Sequence, residues 1–149
     1  MTIIVDERLS AYLDDLVRRA AGAVDVQRVS VRFADGSKPR RSRCHANVER
    51  WVAENPGSEA VRGWLISAQL GPAILLDAHS VVRRRDGELM DITLTFEDQR
   101  APFIEHSGAE SEFQEVRERF NQIAWPPAPL TISQPERSLL GAATLCWSP

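Results

Sequence analysis

The sequence predicts an α+β domain in which helices pack on an antiparallel sheet. Three observations lead to this fold class. Two segments with helical periodicity precede a succession of strand-like runs, a tight-turn sequence joins two of those runs, and another helical segment follows them. Strands that follow one another directly are typical of an antiparallel sheet with helices on its surface. The 149 residues fit a single domain, 1–149, in which the proline-rich tail 125–149 is expected to wrap around the core.

The first part of the chain carries two predicted helices and one predicted strand. Apolar residues recur at spacings of three and four between Asp6 and Ala21, which indicates an amphipathic helix that Gly22 ends. The run from Val26 to Phe33 alternates and is rich in β-branched residues, which favours a strand. A second helix follows, with Ser42 as the expected cap and "NPG" at 55–57 as its end.

The second part is predicted to form a meander and a third helix. Strand-like runs cover Ala60 to Ser67, Ala73 to Arg84 and Leu89 to Phe96. The letters "RDG" between the last two runs are typical of a hairpin turn. After a polar loop, apolar residues recur with helical spacing from Glu110 to Ala124, which predicts the third helix.

Composition and charge restrict the classes of function. A formal net charge of −3 and a sequence pI near 5.6 give no overall attraction to nucleic acid. No apolar run reaches the ~18 residues of a membrane span, and the amino end has no basic leader or cleavage site. We therefore expect a cytoplasmic protein without nucleic-acid or membrane partners, whose cysteines, Cys44 and Cys146, are reduced.

Cys44 is the first candidate for chemistry, because it is placed where the second helix begins. Free backbone N–H groups and the helix dipole at that end stabilise an anion and lower the pKa of a thiol. Arg41 and Arg43 add positive charge nearby. The same N–H groups are suited to an oxyanion that develops on an attacked carbonyl. Cys44 also shares a helical face with Val48 and Trp51, which is expected to hold it against the sheet.

His79 and Asp91 lie on the two arms of the predicted hairpin, and the turn type decides whether they share a face. A two-residue Asp-Gly turn would place Val82 opposite Asp91 and send His79 to the other face. A three-residue "RDG" loop, with Gly87 in the left-handed conformation, instead places Val81 opposite Asp91. His79 is then a diagonal neighbour of Asp91, within reach of a side-chain hydrogen bond. We expect the three-residue loop.

The motifs "RCHANVERWV", "LLDAHSVV" and "RRDGELMDITL" resemble, in order and context, those of the papain-like thiol enzymes, especially the transglutaminase-like group. The resemblance spans residues 41–96. It implies a papain-like core and a cysteine hydrolase or acyltransferase acting on an amide, ester or thioester of a small molecule or peptide. In that scheme Cys44 attacks, His79 shuttles the proton and Asp91 orients the ring, without a cofactor. The chain departs from the group's pattern after the histidine, where no aromatic residue follows, and before Cys44, where no glutamine-like oxyanion donor stands.

Neighbouring residues offer secondary roles in the same site. Asp77 shares the face of His79 and is an alternative partner for its ring. His45 is a first-turn polar residue, Arg43 a nearby positive charge, and Trp64 a residue of the core or of a pocket wall. The thiol scheme requires the sulfur of the cysteine and the imidazole to lie on the same side of the sheet.

Two non-catalytic interpretations stay open beside the thiol enzyme. A zinc site is the first, but Cys44 and His45 diverge by about 100° on a helix and no closely spaced cysteine pair is present. The second is an interaction module of the adaptor or immunity type, in which the apolar tail and the tryptophans bind a partner. The basic run from Lys38 to Arg43 is a candidate for contact with an acidic substrate or a phosphate.

Overall fold

The computed structural model describes residues 5–93 and 102–127, and the rest of the predicted tail, 128–149, lies outside them. Three α-helices and one 3₁₀ turn are present in the described residues. The α-helices are α1 (Glu7–Arg19), α2 (Cys44–Glu54) and α3 (Glu110–Arg119), and the 3₁₀ turn is Ala20–Gly22. The strands are β1 (Val24–Asp25), β2 (Gln27–Arg28), β3 (Glu59–Leu70), β4 (Ala73–Arg83), β5 (Leu89–Asp91), β6 (Pro102–Glu105) and β7 (Gln122–Trp125).

The described strands form one sheet that nearly closes on itself. Their order is β1-β6-β3-β4-β5-β2, and β7 pairs with β4 beside this path. Only Val26 separates β1 from β2, so one short stretch of chain pairs with both ends of the sheet. All pairings are antiparallel except that of β2 with β5. The predicted α+β class is therefore confirmed, with a sheet that is mostly antiparallel.

Several predicted elements differ from those in the structure. The third helix ends at Arg119, and Gln122–Trp125 forms β7 because β4 offers an edge with which this segment pairs. The predicted polar loop contains β6, which pairs with β3. Of the predicted strand Val26–Phe33, only Gln27–Arg28 (β2) is a strand, and β1 lies just before it. Ser42 does not cap α2: its φ is 58°, and the cap position belongs to Arg43.

The α1 helix covers one end of the outer face of the sheet. Asp6 caps it, since its Oδ1 accepts a hydrogen bond of 2.8 Å from the backbone N–H of Leu9. Three leucines on one helical face are buried against the sheet, as the periodicity predicts. They join a core cluster that includes Trp64, Leu76 and Phe113, to which α3 also contributes.

Strand β4 separates two environments, because its successive side chains point to opposite faces. Ala78 faces outward into the cluster formed with α1 and α3, and Val82 faces outward against Val48 of α2. Val81 faces the inside of the curved sheet, where it contacts Phe103. Close packing inside requires the glycine at position 63, since a Cβ there would stand 2.5 Å from Cζ of Phe103.

The hairpin between β4 and β5 has the predicted register. Arg84 and Glu88 close the loop, with the N–H of Arg84 donating to the carbonyl of Glu88 at 2.8 Å. Gly87 has a φ of 89° and donates its N–H to the carbonyl of Arg84. Val82 pairs with Met90, which places Val81 opposite Asp91. The three-residue "RDG" loop is thus confirmed.

Candidate functional site

His79 and Asp91 form a hydrogen-bonded pair inside the curved sheet. Nε2 of His79 lies 2.8 Å from Oδ2 of Asp91, and the two residues are only 2% and 3% exposed. The other carboxylate oxygen of Asp91 accepts the backbone N–H of Thr93 at 3.0 Å. The ring of Phe103 stands edge-on to the imidazole. The predicted hydrogen bond between His79 and Asp91 is therefore confirmed, in a place that solvent hardly reaches.

Asp77 lies on the same inner face but does not replace Asp91 as the partner of His79. Its Oδ1 accepts a hydrogen bond of 2.6 Å from the side-chain amide of Gln122, and its Oδ2 is buried without a partner among the described residues. Burial raises the pKa of Asp77, although the nearby hydroxyl of Ser67 and the hydrogen bond from Gln122 act in the opposite direction. Asp77 thus contributes a second buried carboxyl group to the interior.

Cys44 begins α2 as predicted, but it is not a thiol in the structure. The residue is fully buried and disulfide-bonded, and the described residues contain no free cysteine. The expectation of reduced cysteines is therefore corrected at Cys44. A disulfide sulfur has no proton for a base to remove and is not a nucleophile. The chain's other cysteine, Cys146, lies outside the described residues.

The sheet separates Cys44 from the His79–Asp91 pair. Cys44 precedes Val48 by one helical turn, and Val48 packs on the outer face of β4 against Val82. His79, three residues before Val82, points to the inner face, where the ring of Phe103 contacts it. The structure thus brings His79 to Asp91 on the inner face of the sheet, whereas the first turns of α2, which carry Cys44, pack on the outer face.

A second polar cluster lies on the outer face, beneath α2 and α3. Ser80 is fully buried and its Oγ accepts a hydrogen bond of 2.8 Å from Nη1 of Arg62. The same Oγ lies 2.6 Å from Nδ1 of His45. A guanidinium donates hydrogen bonds but does not accept them. Of the two partners of the Ser80 hydroxyl, only Nδ1 of His45 is therefore able to accept its proton. Nδ1 of His45 is then the acceptor, and the ring proton of His45 resides on Nε2.

The environment of His45 keeps its ring neutral. Burial lowers its pKa to about 3, and the positive charges of Arg117 and Arg62 act in the same direction. Its Nε2 is buried and has no hydrogen-bond partner in the part of the chain that the structure describes. His45 is therefore a residue of the first turn of α2, as predicted, and it belongs to a buried hydrogen-bond network with Ser80.

Arg62 links α2 and α3 across β3. It is only 7% exposed, and its guanidinium donates to Glu49 at 2.9 Å and to Glu110 at 3.0 Å. The sequence analysis missed both Arg62 and Ser80. Strand alternation would have placed them on one face, since they are direct partners in the register of β3 and β4.

A basic loop precedes α2 and is held in place from beneath. Asn47 accepts a hydrogen bond from the backbone N–H of Arg40 and donates to its carbonyl, at 3.1 and 2.8 Å. Its amide also reaches Thr93, at 2.9 Å. We call residues 38–43 the basic loop. Its four cationic side chains are exposed and form no ion pair within the described part of the chain: Lys38, Arg40, Arg41 and Arg43.

The remaining secondary candidates are Trp64 and Arg43, and within the described residues neither is hydrogen-bonded to the His79–Asp91 pair. Trp64 is fully buried in the outer core, and its Nε1 donates a hydrogen bond of 2.8 Å to the hydroxyl of Tyr12. Arg43 is an exposed residue at the cap of α2 that makes no side-chain capping bond. Trp64 therefore belongs to the core and Arg43 to the basic loop.

Comparison with known proteins finds no matching family model, no matching curated protein and no matching solved structure. The papain-like core implied by the motifs stays a prediction. Across residues 5–93 and 102–127, no helix has the length and apolar character needed to cross a bilayer. In the same ranges, no three metal-ligating side chains of histidine, cysteine, aspartate or glutamate cluster in a way that could hold an ion.

Proposed function

We propose that this chain is a non-catalytic interaction module that binds an acidic segment of a partner protein through the basic loop. The observation that carries the proposal is the contrast between the residues expected to do chemistry and those exposed for contact. The sulfur of Cys44 is in a disulfide, and the side chains of His79 and Asp91 are almost fully buried. The cations of the basic loop are exposed instead.

The basic loop differs from several other arginines of the chain, which form ion pairs with carboxylates. Arg50, Arg83 and Arg84 each contact at least one carboxylate within 3.2 Å. The cationic side chains of the basic loop have no such partner among the described residues. Their charge is therefore available to an acidic ligand without the loss of an internal ion pair.

The anchoring of the loop favours binding as well. Asn47 is 5% exposed and fixes both backbone polar groups of Arg40. A loop that is already ordered loses less conformational entropy when a partner binds. Asn47 is therefore a positioning residue for the basic loop.

Overall charge favours a short acidic protein segment over nucleic acid. The chain carries a net charge of −3, which repels a long polyanion at distances beyond the loop itself. A short peptide contacts only the local positive surface, because charges beyond about 10 Å are largely screened by salt. We therefore choose an acidic peptide as the probe.

The test measures binding of a fluorescent hexaglutamate peptide to the full chain by anisotropy. We expect saturable binding that weakens as salt is added, and a loss of about tenfold or more in affinity for Arg40→Glu/Arg41→Glu. The matched control is Arg84→Glu/Arg85→Glu, a double reversal in the exposed hairpin that is expected to change affinity about twofold at most.

Three results would overturn the proposal. They are absence of binding to the peptide, an equal loss in the two double variants, and tighter binding of a short DNA duplex than of the peptide at the same salt concentration. In addition, Asn47→Ala is expected to weaken peptide binding although it removes no charge, because the loop then has to become ordered on binding.

The thiol enzyme is the second candidate, and one observation favours it: a histidine hydrogen-bonded to a carboxylate at 2.8 Å, in a chain whose α2 begins at a cysteine. Activity would require reduction of the Cys44 disulfide and a rearrangement that brings its sulfur to the inner face of the sheet. Chemistry would then be acyl transfer or hydrolysis through a thioester.

Alkylation of the reduced protein tests this candidate. If a Cys44 thiolate is activated by His79, iodoacetamide at slightly acidic pH should label Cys44 much faster than Cys146, as followed by peptide mass spectrometry. His79→Ala should then abolish the difference. Equal and slow labelling of the two cysteines, unchanged in His79→Ala, excludes an activated thiolate.

A further inference from the structure

The two helices on the outer face approach each other at the ring contact of His45 with Phe113 and at Arg62, and we call this region the α2–α3 seam. On the α2 side it contains His45 and Glu49, and on the α3 side Phe113 and Arg117, with Arg62 beneath. The rings of His45 and Phe113 are in edge-type contact, with centroids 6.0 Å apart. The seam lies on the opposite side of the sheet from His79 and Asp91.

The seam contains a hydrogen-bond donor without an acceptor. Because Arg62 donates to Ser80 and Ser80 donates to His45, the ring proton of His45 stands on Nε2. The residue is only 7% exposed, and this Nε2 has no hydrogen-bond partner among residues 5–93 and 102–127. A buried N–H group without an acceptor is unfavourable, and native structures satisfy almost all such groups. The Nε2–H of His45 is therefore a donor suited to a ligand that offers an acceptor atom.

The charges around His45 indicate that this acceptor is negative. Arg62 is already paired with Glu49 and Glu110. Arg117 makes a hydrogen bond of 3.1 Å to Gln114 but no ion pair within the described ranges. Burial lowers the pKa of Arg117, and the charge of Arg62 acts in the same direction, while Glu49 and Glu118 act against it. An anion beside Arg117 would relieve this repulsion.

We infer that the α2–α3 seam binds a carboxylate, held by the Nε2–H of His45 and the guanidinium of Arg117. A carboxylate offers two acceptor oxygens, one for the ring N–H and one for the guanidinium. Arg117 is half-exposed and so connects the buried ring to solvent. The carboxylate comes from a free small acid or from an acidic side chain of a partner, and the two sources share this chemistry. The inference does not depend on the basic loop.

The test follows the His45 Nε2–H resonance by NMR in the full chain with ¹⁵N-labelled histidine. Sodium acetate is titrated against sodium chloride at constant ionic strength, and hexaglutamate peptide is titrated separately. We expect a saturable downfield shift of this proton, because it gains an anionic acceptor. A response to acetate points to free acids as ligands, and a response to the peptide alone points to a side chain of a partner.

Variants separate specific binding from a general salt effect. Arg117→Gln should weaken the saturable shift about tenfold, since the ion-paired contact is lost. Arg119→Gln is the matched control on the same helix, because its guanidinium contacts Asp6 instead, at 3.2 Å. Its response should equal that of the wild type. Absence of a saturable shift with either probe, or equal losses in the two variants, overturns the inference.

Carboxylate binding at the α2–α3 seam is distinguishable from peptide binding at the basic loop. Arg40→Glu/Arg41→Glu should retain the acetate response of His45 while it loses peptide binding at the loop. His45→Phe removes the donor, and thermal stabilisation of the chain by acetate should disappear in this variant. If His45→Phe does not fold, the Arg117→Gln variant still tests the inference. Arg117 is half-exposed, so its substitution is expected to leave the fold intact.

Discussion

At the scale of single residues, His45 shows how a buried network determines the state of a titratable group. Its ring accepts a hydrogen bond from Ser80 and lies close enough to Arg62 and Arg117 for their charges to disfavour protonation. Burial is the larger cause, and together with these charges it lowers the pKa of His45 to about 3 from its ordinary value of 6.5. The folded protein therefore contains the neutral ring over the whole physiological range.

This shift predicts a loss of stability in acid. Below the unfolded-state pKa of 6.5 the unfolded chain binds a proton at His45 that the folded chain does not, down to a pH of about 3. The free energy of unfolding should therefore fall as the pH is lowered through this window, by at most about 1.4 kcal/mol per pH unit. It should be insensitive to His45 above the window. Urea denaturation at a series of pH values measures the slope.

The variant His45→Gln isolates this contribution, because the amide of glutamine is polar but does not titrate. Its unfolding free energy should depend less steeply on pH between about 3 and 6.5 than that of the wild type. His106→Gln, at a half-exposed histidine, is the control and should keep most of the slope. Asp77 acts in the opposite sense, since a carboxyl with a raised pKa gains stability in acid. Parallel slopes in wild type and His45→Gln would contradict the assignment.

At the scale of elements, local signals were sufficient where the chain turns on itself. The "RDG" loop was predicted with the correct register because a left-handed glycine in a short turn fixes which residues face each other. That register alone brings His79 to Asp91. The third helix was extended too far because its apolar spacing continues past Arg119, whereas the pairing of Gln122–Trp125 with β4 depends on residues far away in sequence.

Helix placement also explains why the predicted triad did not assemble. The apolar face of α2 indicates that the helix packs on the sheet, but periodicity does not say which side of the sheet it covers. The packing of Val48 against Val82 decides this, and it places Cys44 on the outer face of the sheet. The cluster of His45, Ser80 and Arg62 escaped prediction for a similar reason, since its three members come from three different elements.

At the scale of the whole molecule, the nearly closed sheet encloses the His79–Asp91 pair among apolar side chains. Val81, Leu65 and Phe103 form the interior cluster on the face to which the pair belongs. Taking a carboxylate out of water costs several kcal/mol, which its hydrogen bonds offset only while each partner is present. The pair is therefore a structural element of the interior as long as no substrate reaches it.

The structural role predicts a specific pattern of stabilities. His79→Leu leaves the Asp91 carboxylate buried without its imidazole, and should lower the free energy of unfolding by about 3–5 kcal/mol. Adding Asp91→Asn removes the unpaired charge. The asparagine keeps an oxygen for the backbone N–H of Thr93, which donates to Oδ1 of Asp91 at 3.0 Å in the wild type. The double variant His79→Leu/Asp91→Asn should therefore recover at least half of the loss, as measured by urea denaturation. A double variant no more stable than His79→Leu alone would mean that the charge of Asp91 is compensated by other groups, and that the pair does not stabilise the interior in this way.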